Sequence, residues 1–383
     1  MSLPGRRQQG VTLIELMVSL VIASLLTIAV ASYEGHKRTT TSVNDLNQSG
    51  NYAAWVLDNL LRSAGSGFAQ TAEFAFGCQL LVAKGGETIL PRAAALPAPF
   101  AGLDTTFRLA PVLIVQDGST PTDSGSGSDL LLVMSGAAGK AEAPAYLSDY
   151  PDSASLPLKN TRAFAASDVL LLVDQETGSS GTVPCMLTQV SSSFAESGAS
   201  ILPLAGSYHQ ASIAAQSLAA YTEQTVALNL GNPGKGNPPG FAVLGVGDNS
   251  TLYTYDLLQT SSAPRQAIAS GVFELHALYG LDTDDDGKID SWRRPEGDYA
   301  YAALTAGTSA AASVITRIKA VRVGLILRTD LKEKETVSPD SLTLFSDLGS
   351  DLAYSPSLGT DNTRYRYRVQ EFTVPLRNLM LLE

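Results

Sequence analysis

The chain has 383 residues, 44% of them hydrophobic and only 16% charged, with a formal net charge of −11. That length supports one large domain or two with a sizeable core, and the sparse charge suits a secreted or surface β-rich protein better than a cytosolic enzyme. The acidic balance excludes a generic electrostatic attraction to nucleic acid, so no nucleic-acid partner is expected.

Residues 1–10, MSLPGRRQQG, carry Arg6 and Arg7 and lead into VTLIELMVSLVIASLLTIAVA at 11–31. At 1.5 Å per residue that run spans roughly the 30 Å hydrocarbon core of a bilayer. The arginines ahead of it predict that the N-terminus stays cytoplasmic. A cleaved secretory signal and a simple signal-anchor both fit this much. Neither accounts for Glu15, because an ionisable group in a membrane span is costly and by default functional.

The stretch G-VTLIELMVSLVIASLL resembles the prepilin-type signal of type IV pilins and pseudopilins. The resemblance implies cleavage by prepilin peptidase after Gly10 and N-methylation of the new first residue, Val11. It also implies that Glu15, fifth in the mature chain, is the family's assembly glutamate. Such a glutamate can pair with the terminal amine of a neighbouring subunit, offsetting two unpaired charges in a low dielectric and fixing axial register. The chain departs from the family where it begins with Val11 rather than Phe.

The helix is expected to continue beyond the membrane over 11–66. Val43, Leu46, Gly50, Ala53, Leu57, Leu60 and Ala64 recur at spacings of three and four, an apolar stripe with polar residues between. Gly65 and Gly67 are stop signals, and Gly50 with the β-branched run TTTSV at 39–43 marks a place to bend.

Beyond residue 67 short apolar runs alternate with Gly, Ser, Pro and Asp clusters, as in a mostly antiparallel β domain. SDLLLVMSG at 128–136 and SDVLLLVDQ at 167–175 read as twin buried strands entered from polar turns. VPCMLTQV at 183–190, QTVALNL at 224–230, AVRVGLILR at 320–328 and YRVQEFTVPLRN at 367–378 read as further strands. GNPGKGNPPG at 231–240 and ALTAGTSAAAS at 303–313 read as loops, the first without phosphate-binding spacing. Together with LDNLLRSAGSGF, these strands resemble the minor pilins called PilW. The expected fold class is therefore α+β and pilin-like: leader 1–10, N-terminal helix 11–66 with its membrane span at 11–31, and an extracytoplasmic β-rich domain at 67–383. The implied partners are other minor and major pilins, prepilin peptidase and the inner membrane.

Cys78 and Cys185 are the only cysteines, and in an oxidising compartment they form one disulfide. Two buried thiols are the alternative. The acidic stretch DTDDDGKID places Asp282, Asp284, Asp286 and Asp290 at positions 1, 3, 5 and 9 of a calcium-loop spacing, with Gly287 at the turn and the Lys288 carbonyl at position 7. Position 12 is Arg293 rather than a bidentate glutamate, although Glu296 and Asp298 follow. A calcium site and a bare Asp/Gly hairpin both remain open. The three histidines are scattered and no G-x-S-x-G elbow occurs, so no enzyme is expected. The residues themselves give a cleavable, assembly-competent anchor and a large extracytoplasmic β domain; the resemblance implies a structural minor pilin that primes or supports type IV pilus assembly, held in the inner membrane with its C-terminal domain periplasmic. The alternatives are a minor pseudopilin of type II secretion, or a membrane-anchored binding module in which Glu15 is incidental.

Overall fold

The computed structural model describes residues 11–381 apart from 123–126, 138–142, 176, 179–180, 197–198 and 261–262. The leader and Gly10 therefore lie outside the described residues. A single α-helix, α1, runs from Leu13 to Ser63. Its 51 residues give a rod of roughly 77 Å. It passes without interruption through the TTTSV run and Gly50, where a bend was expected. It ends where Gly65 (φ +79°) and Gly67 (φ +80°) turn the chain into left-handed backbone, which glycine adopts at no steric cost.

The two halves of α1 have opposite environments. Every residue from Val11 to Arg38 is exposed, whereas Leu46, Gly50, Ala53, Leu57 and Leu61 are buried. Leu61, not the expected Leu60, completes the stripe, and Leu60 is half-buried. An α-helix turns 3.6 residues at a time, so its contact face drifts about 20° per heptad off a strict seven-residue repeat, which favours Leu61 over Leu60 at the fourth turn. Gly50 sits where the helix presses closest to the body of the protein. A Cβ there would collide with the Leu327 side chain and come within 3.3 Å of Gln370 Oε1.

Three large sheets follow, beside three two-stranded ones among the described residues. The six-stranded sheet has the order Glu87–Leu90, Leu80–Lys84, Cys185–Gln189, Val169–Asp174, Thr225–Gly231, Ala145–Tyr146. Its one parallel pair joins Leu80–Lys84 to Cys185–Gln189. The five-stranded sheet is ordered Gln266–Ser270, Thr251–Asp256, Gly240–Gly247, Ser128–Ser135, Val112–Ser119. The four-stranded sheet is ordered Ser291–Arg293, Val272–Leu281, Ile318–Arg328, Tyr367–Pro375. Both are antiparallel throughout.

The twin strands Ser128–Ser135 and Val169–Asp174 are buried at every position, as unalternated apolar runs must be when both faces are covered. They lie in different sheets. Each is entered through an aspartate that ties neighbours together. Asp129 accepts backbone N–H groups of Asp117 (3.0 Å) and Ala277 (2.9 Å). Asp168 accepts from the side chains of Asn229 and Asn232, both at 2.7 Å.

The stretch 303–313 is a loop only at 305–308. Tyr301–Leu304 and Ser309–Thr316 are helical, with Thr308 Oγ1 capping Ala311 N–H. Ala311, Ala312 and Ile315 are buried, so packing of that face supports a helix that Gly307 just ahead of it and its own Ser and Thr residues conceal. The last strand also stops earlier than expected, at Pro375, and Arg377–Met380 turns into a helix. There Asn378 donates to the Ala64 carbonyl (2.9 Å), closing the end of α1 against the C-terminus.

Candidate functional site: the N-terminal rod and the acidic hairpin

The rod begins at Thr12, whose hydroxyl accepts from Glu15 N–H (3.3 Å) while Glu15 Oε2 accepts from Thr12 N–H (3.0 Å) and Thr12 Oγ1–H (3.0 Å). This is a reciprocal capping box, which satisfies two backbone donors left over at a helix start. The signal, Thr followed three residues later by Glu ahead of an apolar run, is present in the sequence and was missed there in favour of an intermolecular role. The two are compatible. The cap holds the carboxylate beside the position where cleavage would leave a terminal amine at Val11.

Beyond Glu15 the side chains of Leu16, Met17, Val18, Leu20, Val21 and Ile22 are all more than half exposed. Fully burying one such side chain is worth about 1.5–3 kcal/mol. A continuous sleeve of them demands lipid or other helices around it. From Thr39 onward the rod is fastened to the body of the protein. Thr39 donates to Glu333 (3.1 Å), Arg368 donates to Asn47 (2.6 Å) and Ser49 donates to the Ser270 carbonyl (2.6 Å).

The acidic hairpin joins the paired strands Val272–Leu281 and Ser291–Arg293, so its flanks are strands, as expected. Asp285 (φ +60°) and Gly287 (φ +80°) make the turn. Carboxylate oxygens of Asp282, Asp284 and Asp290 come within 4.8 Å of one another. Asp286 does not join them. It turns to Lys288, whose ammonium lies 2.6 Å from it, and this contact lowers the Asp286 pKa and raises that of Lys288. Asp282 is buried and accepts from the N–H groups of Asp286 (3.2 Å) and Gly287 (2.9 Å). Asp290 is held by the Thr283 hydroxyl and N–H, which lower its pKa. Glu296 points elsewhere, accepting from Gln116 (2.9 Å).

Cys78 and Cys185 are joined, with a Cα–Cα distance of 5.7 Å across 107 residues of sequence. Both are fully buried. The bond sits at the head of the parallel pair, where Leu80 and Cys185 are in register. Closing a loop of that length contributes about 4–5 kcal/mol in the chain-entropy account.

One buried cluster escaped the sequence entirely. His276 places Nδ1 3.6 Å from Asp129 and Nε2 3.5 Å from Glu274, with Glu274 fully buried. Tyr354 lies over the imidazole, ring centroids 3.7 Å apart, and donates to Glu274 (3.1 Å). Burial pulls the imidazole pKa down, but the two carboxylates outweigh it and push His276 up to about 9. Asp129 and His276 are far apart in the chain, so nothing in either local sequence marks the pair.

Two family matches fall at opposite ends of the chain. Residues 5–31 match the prokaryotic N-terminal methylation motif, and residues 242–378 match type IV pilus-assembly protein W. The second match includes the whole four-stranded sheet and Gly50's neighbours Leu327 and Gln370, hence the surface on which α1 docks. No curated protein and no solved structure matches the chain. A prepilin signal followed by an exposed apolar half-helix fits anchoring in the inner membrane and entry into a pilus, with prepilin peptidase and other pilus components as the implied partners. With a methylation signal at one end and a PilW region at the other, the chain matches the PilW-family minor pilins of the type IV pilus over these two stretches, which supports a structural part there.

Proposed function

We propose that this subunit waits in the inner membrane with its β domain in the periplasm, is cut after Gly10 and methylated at Val11, and then joins other minor and major pilins to prime or support pilus assembly. We read it as non-enzymatic. The observation that carries this reading is the division of α1: an exposed apolar half running straight into a half that is bonded and packed against the β domain. Such a rod can leave lipid for a bundle of like helices without unfolding anything. Glu15, already held at the helix start by Thr12, supplies the charge that an incoming amine would meet. The match to PilW favours the pilus over a secretion pseudopilus.

Counting surface pili in a strain lacking the protein tests this. The wild-type chain should restore piliation, whereas Glu15→Val should be present and processed in the membrane yet restore few pili. Full restoration by Glu15→Val would remove the assembly role of that residue. We further propose calcium as the ligand of the gathered Asp282, Asp284 and Asp290, stiffening the hairpin. The filament role does not depend on it.

A further inference from the structure

Between the strands Ile318–Arg328 and Tyr367–Pro375 the chain leaves the four-stranded sheet and doubles back over it. Residues 340–358 form an irregular hairpin, closed by backbone bonds between Asp340 and Leu358 (2.7 Å) and between Leu344 and Tyr354 (2.8 and 3.0 Å). Its residues Leu344, Phe345 and Leu358 are buried against Phe273, Leu278 and Ile326 of the sheet. The hairpin sits so low that a Cβ on Gly324 would come within 2.8 Å of the Phe345 ring. Phe345 itself is held at φ +59°, a backbone conformation that a bulky residue keeps only where its surroundings force it.

Charge pins the hairpin at two points. Arg322 donates to Asp347 (2.9 and 2.7 Å) and to Glu371 (2.7 Å), and Glu371 accepts from Phe345 N–H (2.9 Å). At the second point Tyr354 covers His276 and donates to Glu274 (3.1 Å). Beneath it lies a cavity of about 60 Å³. The charged and titratable groups around that imidazole are Glu274 on its own strand, Asp129 and Asp117 from the five-stranded sheet, Arg294 beside the cavity, and Tyr354 above, with Tyr279 and Tyr367 further out. Arg294 is spent on the carbonyls of Asp351 (3.0 Å) and Ala353 (2.9 Å). Asp129 has two backbone N–H groups of its own. Fully buried Glu274, among the described residues, takes one hydrogen bond, from Tyr354, and its counter-charge is His276. Were the imidazole neutral, Glu274 would be a buried carboxylate without a cation, which is costly until water reaches it. Glu274 Oε1, His276 Nε2 and Arg322 Nε already find no hydrogen-bond partner, so the closed position has little in reserve. We propose that residues 340–358 are a flap latched by the His276 imidazolium: loss of that charge lifts the Tyr354 end off the sheet as a local unit, while the sheets beneath stay folded.

The test is hydrogen–deuterium exchange of the full chain in detergent micelles, read by mass spectrometry and corrected for the intrinsic rise of exchange with pH. The carboxylates hold the proton on His276 up to about pH 9. Protection over 340–358 should therefore fall about tenfold or more as pH rises from 6.5 through about 9. The buried strand Val169–Asp174 should keep its protection over the same range. His276→Gln should leave the flap weakly protected at both ends of the window. Tyr354→Phe keeps the ring and loses only the hydroxyl, so its flap should still tighten at the lower pH. Unchanged flap protection in the wild type overturns the proposal. So does an equal loss in flap and strand, which is global unfolding rather than a local release. The comparison of the two segments within the wild-type chain decides even where a variant does not fold.

Discussion

At the residue scale two charged side chains matter most: His276, buried with a proton, and Glu15, on the exposed half of the rod. His276 sits between Asp129 and Glu274, with Tyr354 across its ring, Tyr279 bonded behind Asp129 to Ile114, and Tyr367 near Glu274. Folding raises its pKa from 6.5 to about 9. Its stabilisation is therefore complete below about 6.5 and is lost as pH climbs through about 9. The melting temperature should fall over that window in the wild type, and a His276→Gln chain should lose the dependence. His276→Phe should cost about 3–5 kcal/mol, since it strands two buried carboxylates. A flat wild-type profile between pH 6.5 and 9 would contradict the assignment. The other is Glu15. Its cap was legible in TLIE, and the eye passes over it because the membrane setting suggests a distant partner first.

At the scale of elements, α1 sets the design and the hairpin is its most exposed appendage. Gly50 is needed because the helix approaches Leu327 so closely there. Gly50→Val should destabilise the chain by about 1–3 kcal/mol through overpacking, measured by denaturation in detergent. Equal stability would mean that the helix can back away from the sheet. For the hairpin, millimolar calcium should raise the melting temperature by relieving repulsion among Asp282, Asp284 and Asp290, and Asp284→Asn should abolish the rise. No shift at millimolar calcium would leave only a solvated turn. The rod was legible because its apolar period repeats over many turns, and Leu60 was chosen over Leu61 because a seven-residue count overlooks the drift of a true helix. The helix Ser309–Thr316 was not legible. Its three alanines favour a helix, but the flanking Gly307 and the serine, threonine and valine residues mask that signal, and what holds the helix is burial of Ala312 and Ile315 in a core assembled from other parts of the chain.

The whole molecule is a rod with one half in its own domain and one half uncovered. Its twin SD strands could be read as buried from composition alone, but not that they belong to different sheets, because sheet membership is set by non-local pairings such as that of Ser128–Ser135 with Gly240–Gly247. The Asp129–His276 contact was hidden for the same reason. The most direct test of the whole account is the intact mass and N-terminal sequence of the protein purified from membranes with and without prepilin peptidase. The account predicts a chain beginning at Val11 and carrying one methyl group only when the peptidase is present. An uncut chain with residues 1–10 still attached in both membranes would contradict it and leave the rod as a plain anchor.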